Sequence, residues 1–292
     1  VTPNTVAPSP AVIRSGAGRF VEAEVTVTLS AGSSRHSGGV TIAGIGTIAP
    51  RSVKSELLAA AVAEAGFHIE ATAAWADADQ LFDDSTWQVG VVLSPWKQEI
   101  GARCESLAPS ARDTGVVDTV LRSPAGTMGF NTNTWAAQTA LEVVTGGRTP
   151  DRVLLVGSGA STGSVALAAR RTWPASELVI TARSAAPAMA LADRFGGRFV
   201  PAPEIADSAA DTYQVVVNTT TWGETDASEA EPFGIDLAAV FAPGVALFDL
   251  NNRIGSLPQQ AMAAGCLVVS GAIMQRVTNA CRAALLTYAA PA

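Results

Sequence analysis

Charge is scarce in this chain. Asp, Glu, Lys and Arg together supply 15% of the 292 residues, and their balance is acidic, with a net charge of −7. Phosphate backbones are bound by basic surfaces, and neither a basic stripe nor a polybasic tail is present, so no nucleic acid is expected as a partner. Cysteine is limited to Cys104, Cys266 and Cys281, widely spaced and without a CxxC pair. That count argues against a disulfide framework or a thiolate zinc site and fits reduced thiols in the cytoplasm. His36 and His68 lie far apart, which leaves no basis for a histidine metal centre, and no metal is expected. No apolar run approaches the roughly 18 residues of a membrane span, and the first residues lack the basic-then-apolar order of a secretory leader. The expectation is a cytoplasmic protein with a small-molecule substrate and no membrane partner, either monomer or homodimer.

Apolar residues are plentiful at 48%, enough for a substantial core. The length suits two domains better than one. Residues 1–37 are rich in Pro, Ser, Gly and Thr, and only 19–29 alternates like a strand, so this part reads as an extension carrying one arm of an edge hairpin. Regular structure is expected from residue 39: a strand at 40–46, a helix at about 52–66, strands at about 68–73 and 87–94, and a helix from Lys97. Extended segments follow at 116–122 and 127–130, then a helix at 132–145 stopped by Gly146-Gly147. Further strands are expected after Pro150 and at 177–182, 213–218, 245–249 and 267–269, with a closing helix at 271–288. Strands alternating with helices imply βαβ units and a largely parallel sheet.

One of these units carries a chemical signature. The apolar strand Val153–Val156 runs into Gly157-Ser158-Gly159-Ala160-Ser161, and a helix starts near Ser161. Glycine lets the backbone turn tightly and lets a pyrophosphate lie against the helix N-terminus, where N–H groups and the helix dipole favour negative charge. The sixth position of the GxGxxG fingerprint is Thr162, not glycine. The next strand ends Thr181-Ala182-Arg183-Ser184, about 26 residues beyond Gly157, with no acid before Asp193. An acid there would suit a free ribose hydroxyl, whereas Arg183 and Ser184 suit a 2′-phosphate, so NADP is the expected cofactor.

Several motifs fall in an order that resembles the shikimate dehydrogenase family over most of residues 40–290. The glycine turn and Ala182-Arg183-Ser184 look like that family's NADP-binding elements, and Asn218-Thr219-Thr220-Thr221-Trp222-Gly223 is similar to its loop beside the nicotinamide. Ser94-Pro95-Trp96-Lys97 resembles the segment of its catalytic lysine, Gly129-Phe130-Asn131-Thr132-Asn133 its Gly-x-Asn-Thr-Asp segment, and Gly271 to Met274 the start of its last helix. The resemblance implies an α/β protein with an N-terminal α/β substrate domain, a Rossmann-type NADP-binding domain, and a C-terminal helix returning to the first domain. The boundaries expected are 1–37 for the extension, 38–131 completed by 270–292 for the substrate domain, and 132–269 for the Rossmann domain. It also implies reversible hydride transfer between a secondary alcohol and NADP, with a lysine and an aspartate handling the proton.

The departures cluster on the substrate side. Lys97 is kept, but Asn133 stands where the family has its aspartate, and Asp118 stands where the family has an asparagine. Val91-Val92-Leu93 replaces Asn-Val-Thr and removes two polar groups, Ser52 and Lys54 match the family's Ser-x-Ser pair (a one-residue slip offers Ser55), Asn252 replaces a tyrosine, and Thr278 replaces a glutamine, with Gln275 one turn earlier. Asn131, Asn252, Gln275 and Thr278 remain candidate substrate contacts. A pocket built to hydrogen-bond hydroxyls discriminates against molecules lacking them, so removing those partners points away from shikimate itself. Two readings of Asp118 stand at this point: a carboxylate that pairs with Lys97 in place of the lost aspartate, or a strand-end cap. Lys54 with Ser52 either holds a substrate anion or is a solvated lysine. At the level of the whole chain, an oxidoreductase for a small hydroxy or keto acid competes with a catalytically inactive, regulatory dinucleotide-binding protein and with a non-redox enzyme reusing the cleft.

Overall fold

A computed structural model of the chain describes residues 11–15, 18–22, 38–207, 213–230 and 239–289. The chain divides into two compact units, one running up to Ala136 and resuming at Gln275, the other spanning Ala137–Met274.

In the first unit, β1 (Ala11–Ser15) and β2 (Gly18–Glu22) pair antiparallel. The strand expected over 19–29 is seen only as β2, because residues 23–37 lie outside the described residues. There follow β3 (Gly39–Ile45), α1 (Ala49–Ser52), α2 (Glu56–Glu64), β4 (His68–Trp75), α3 (Ala78–Asp83), β5 (Val89–Val92), α4 (Lys97–Arg103), β6 (Ser106–Leu107), α5 (Pro109–Thr114), β7 (Thr119–Ser123) and β8 (Gly126–Phe130). The helix expected at 52–66 is two helices. Val53 and Lys54 leave α1, and Ser55 is extended (φ −64°, ψ 132°) before α2 begins, so Ser52 ends a short helix instead of opening a long one. The six strands lie in the order β4-β3-β5-β7-β8-β6. This sheet is mixed: β3 runs parallel to β4 and β5 and β6 runs parallel to β8, but β5–β7 and β7–β8 are antiparallel. The two residues between β7 and β8 are too short a link for a parallel crossover. Ala43, Ile45, Leu81, Trp87, Val92, Ile100 and Val120 form the core beneath it.

Helix α6 (Thr132–Thr145) carries the chain into the second unit. Its elements are β9 (Arg152–Val156), α7 (Ala160–Thr172), β10 (Glu177–Thr181), α8 (Ala185–Arg194), β11 (Arg198–Phe199), α9 (Glu204–Asp207), β12 (Val215–Asn218), α10 (Asp226–Ala230), β13 (Ala246–Asp249), α11 (Ser256–Ala263) and β14 (Leu267–Ser270). The all-parallel order β11-β10-β9-β12-β13-β14 is that of a dinucleotide-binding Rossmann sheet. Val153–Val156 are fully buried, as a strand covered on both faces requires, and each such side chain contributes about 1.5–3 kcal/mol on burial. Finally α12 (Ala272–Ala289) opens in this unit and, from Gln275, belongs to the first. No helix among the described residues is long and apolar enough to cross a membrane.

Candidate active site

In the second unit the chain leaves β9 toward β10 on one side while β12 lies on the other, so the carboxyl ends of β9 and β12 flank the switch point where open α/β sheets bind ligands. Gly157 turns there with φ +133°, a conformation that favours glycine. A Cβ on it would lie 2.9 Å from Thr162 Oγ1 and nearer still to Thr219 Oγ1. Gly159 is different: its backbone is extended (φ −92°, ψ −172°), and a Cβ there would meet nothing within 4 Å. The protein itself does not need glycine at 159, so the open space above it fits a group that must approach the backbone closely. The following turn of α7 offers N–H groups that have no intrahelical acceptor.

Thr162 explains the imperfect fingerprint. The Gly159 N–H donates to Thr162 Oγ1 (3.1 Å), which lies 2.6 Å from Thr219 Oγ1, and Thr219 Oγ1 donates to the Val156 carbonyl (2.8 Å). With the Thr219 proton so used, Thr162 donates to Thr219, and the chain of bonds ties the glycine turn to the end of β12. Register sets Thr181 beside Val156, so exposed Arg183 and Ser184, the N-cap of α8, follow at the level of the turn.

Other sequence candidates in this unit support the site from within. Asn218 is fully buried; its Nδ2 donates to the Trp222 carbonyl (3.2 Å) and Asp249 Oδ1 (3.0 Å), and its Oδ1 accepts from Thr220 N (3.1 Å) and Oγ1 (2.7 Å). It shapes the loop through Thr219 and Thr220. Asp249, also buried, accepts from Asn251 N (3.1 Å) and Nδ2 (3.0 Å), and burial raises its carboxyl to about 6 against those bonds. A Cβ on Gly271 would collide with the Leu250 carbonyl, so that glycine serves packing. Met274 is buried, and Asn252 is exposed next to Asn251.

In the first unit, Lys97 is the first residue of α4, and its carbonyl accepts from Val117 N (3.0 Å), which sets Asp118 beside the start of the helix. Asp118 is fully buried. One of its oxygens accepts from Thr119 Oγ1 (2.8 Å), Thr132 N (3.0 Å) and Thr132 Oγ1 (2.6 Å), and the other from Asn133 N (2.6 Å). The carboxylate therefore caps the N-terminus of α6, where the helix dipole favours an anion. It also faces Lys97: burial lowers the lysine's pKa, the Asp118 charge pushes it up, and Arg282 pushes it down. Of the two sequence readings of Asp118, the hydrogen bonds describe a cap, and among the described residues it makes no direct ion pair with Lys97.

Asn133 is partly buried, and its Oδ1 accepts from Thr278 Oγ1 (3.4 Å) on α12. Asn131 is fully buried and spends its amide on Thr114 Oγ1 (2.9 Å) and Thr134 N (3.2 Å), inside the protein. Gln275 is exposed, Ser52 is partly buried, and Lys54 is exposed in the link between α1 and α2, with no hydrogen bond or ion pair to the Lys97 group among the described residues. Sequence reading missed Arg282. It lies one helical turn beyond Thr278, 9% exposed, with Nε donating to Thr119 Oγ1 (3.1 Å) and Nη1 to Asn279 Oδ1 (3.1 Å). A single arginine inside the apolar run of α12 was the available signal, since charge on a buried helix face needs a reason.

No protein-family model matches the chain. The shikimate dehydrogenase (NADP(+)) of Aeropyrum pernix is 30% identical over 196 residues, covering 65% of this chain and 68% of that protein. The chain belongs to the shikimate dehydrogenase family. The family's NADP(+) enzyme from Lysinibacillus sphaericus is 29% identical over 230 residues, covering 77% of this chain and 75% of that one. Among solved structures, the shikimate dehydrogenase of Thermus thermophilus in complex with NADP(H) and shikimate aligns with TM-score 0.68 at 26% identity, over 83% of this chain and 91% of that one. A quinate dehydrogenase of Corynebacterium glutamicum in complex with NAD shares the fold, with TM-score 0.74 at 22% identity, over 85% and 94%.

Proposed function

We propose that this protein is an NADP-dependent dehydrogenase that transfers hydride reversibly between NADP and a secondary alcohol or ketone of a small, carboxylate-bearing substrate other than shikimate. The observation that carries the reading is a transposed pair. Relative to the family pattern, carboxylate and amide have exchanged places at 118 and 133, while Lys97 is kept and Asn133 N donates to Asp118 at 2.6 Å. The cluster retains one acid, one amide and one lysine.

The turn Gly157–Ser161 with the first turn of α7 would hold the pyrophosphate, and Arg183 with Ser184 would hold a 2′-phosphate; the open face of Gly159 supports this fit. NADP, when bound, supplies the hydride acceptor or donor. In the oxidation direction Lys97 as neutral amine accepts the hydroxyl proton, and in reduction its ammonium returns a proton to the carbonyl oxygen. Burial favours the neutral amine, and the Asp118 charge opposes that shift. Asp118 is a positioning residue, holding the start of α6 while its charge supports the ammonium. The Val91-Val92-Leu93 triplet removes polar partners that a polyhydroxylated ring would use, which supports a less hydroxylated substrate.

The test is NADPH oxidation by a panel of cyclic and acyclic keto acids, with shikimate and NADP⁺ for comparison. Turnover of at least one keto acid is expected, with Lys97→Met lowering kcat by at least about 100-fold and leaving NADPH affinity unchanged. Undiminished turnover by Lys97→Met would remove the proton-transfer assignment. Tight NADPH binding without turnover of any member would favour the regulatory binder.

A further inference from the structure

The first unit brings a half-buried lysine, a buried arginine and a buried carboxylate together, and the carboxylate is already committed. Asp118 takes four hydrogen bonds from Thr119, Thr132 and Asn133, all serving the start of α6. Arg282 reaches it only indirectly: the Arg282 Nε–H donates to Thr119 Oγ1, whose own proton goes to Asp118 Oδ1. Among the described residues Arg282 makes no ion pair, and its hydrogen bonds involve Nε and Nη1 alone. Among the described residues Nη2 makes no hydrogen bond, and it is not among the fully sealed polar atoms that lack one, so it keeps some solvent contact. A guanidinium that is nine-tenths buried, with one edge unused and a lysine nearby, is stabilised when a further anion completes it.

We propose, building on the dehydrogenase reading, that Arg282 anchors a carboxylate of the substrate through Nη2, on or next to the carbon whose oxygen Lys97 protonates. Three observations place the anchor here and not at Lys54. Arg282 is buried and Lys54 is exposed. Arg282 is held in place by two neutral partners, which orient the fork, while the Asp118 charge acts on it without a direct ion pair. Arg282 is joined through Thr119 to Asp118, which the Val117–Lys97 backbone bond sets beside the start of the Lys97 helix, so an anion bound to Arg282 lies near the reacting oxygen. Such an anion would offset the second cation and raise the proton affinity of Lys97, which suits the ammonium needed to protonate a ketone. The substrate class that follows is a 2-oxo or 2-hydroxy acid, or a ring bearing a carboxylate next to its carbonyl.

The experiment compares oxamate with oxamide, matched in size and differing in charge, by calorimetry and thermal shift on the full-length protein, with and without NADPH. Wild type is expected to bind oxamate more tightly than oxamide by at least about tenfold, the worth of one charge-assisted contact. Arg282→Gln is expected to erase that preference, Arg282→Lys to keep part of it, and Lys54→Ala to leave it intact. A purely structural arginine would lower the melting temperature of Arg282→Gln without changing the oxamate-to-oxamide ratio. If Arg282→Gln does not fold, Arg282→Lys carries the comparison, since a lysine keeps the charge but loses the fork, and an unchanged ratio then counts against the proposal. Absence of a preference in wild type, or its survival in Arg282→Gln, overturns the proposal. NADPH binding measured in the same titrations stands or falls separately, so failure of the anchor is distinguishable from failure of the dehydrogenase reading.

Discussion

Replacing Asp118 by asparagine separates what its carboxylate does for the fold from what it does for Lys97. Asparagine can present its one oxygen to Thr119 Oγ1, Thr132 N and Thr132 Oγ1, but its NH2 then faces the Asn133 N–H that Asp118 accepts at 2.6 Å. One hydrogen bond to a charged acceptor is lost, worth about 1.5–3 kcal/mol, and a buried donor is left facing another donor. Loss of the anion at the start of α6 removes about 0.3–1 kcal/mol more. The expected destabilisation is about 2–4 kcal/mol, on the order of a 10 °C fall in melting temperature for a unit of this size. Turnover is expected to fall by at least about tenfold. Because Asp118 pushes the Lys97 pKa up, its removal is expected to move the Lys97 limb of the pH–rate profile to lower pH. Circular dichroism melts give the first quantity, and kcat/KM against pH gives the other two. Adding Asn133→Asp to this variant restores a carboxylate near Lys97 and is expected to recover part of kcat while leaving the lost cap unrepaired. The reasoning is refuted if Asp118→Asn melts and turns over like wild type while Lys97→Met is inactive.

Other positions give independent checks. Oxidation of alcohol substrate is expected to speed up as pH rises through a lysine limb lying below the ordinary 10.5, because the neutral amine is the proton acceptor; a limb at or above that value contradicts the assignment. The folded-state carboxyl of Asp249 lies at about 6, above its ordinary 3.8, so the folded chain binds more protons between those values and stability from this group falls as pH rises across that window. Asp249→Asn keeps an oxygen for Asn218 and Asn251 and is expected to stabilise the protein at pH 7 by at most about 3 kcal/mol; urea melts should show the gain vanish near pH 4. Gly271→Ala sets a Cβ against the Leu250 carbonyl and is expected to cost roughly 2–4 kcal/mol, read as a lower urea midpoint.

Much of the fold was written in local pattern. Val153–Val156 followed by Gly157-Ser158-Gly159 announces a buried strand and a tight turn because each feature is set by neighbouring residues, and the Rossmann sheet order follows from repeating that unit. The break between α1 and α2 was not legible, since Arg51 to Ser55 contains neither glycine nor proline and its helix is interrupted by backbone conformation alone. The mixed first sheet turns on the short link between β7 and β8, which a reading of alternating strands and helices passes over. Within the site, Lys97 and the exchange at 118 and 133 were visible, while the cap that Asp118 provides depends on β7 meeting the start of α6 in three dimensions. Asn218 and Asn131 were named as ligand contacts from the family's motifs, and both are fully buried with their amides hydrogen-bonded to the protein, which depends on packing that a motif does not display. Arg282 went unnoticed for the opposite reason: an arginine in a helix reads as solvated, as Arg276 of the same helix is, until its burial is known.

The most direct measurement is a fluorescence titration of the purified protein with NADPH and with NADH, repeated on Arg183→Ala. NADPH is expected to bind at least about tenfold more tightly than NADH, the worth of a charge-assisted contact to the 2′-phosphate, and Arg183→Ala is expected to level the two. Binding of neither dinucleotide, or tighter binding of NADH by the wild type, would contradict the assignment.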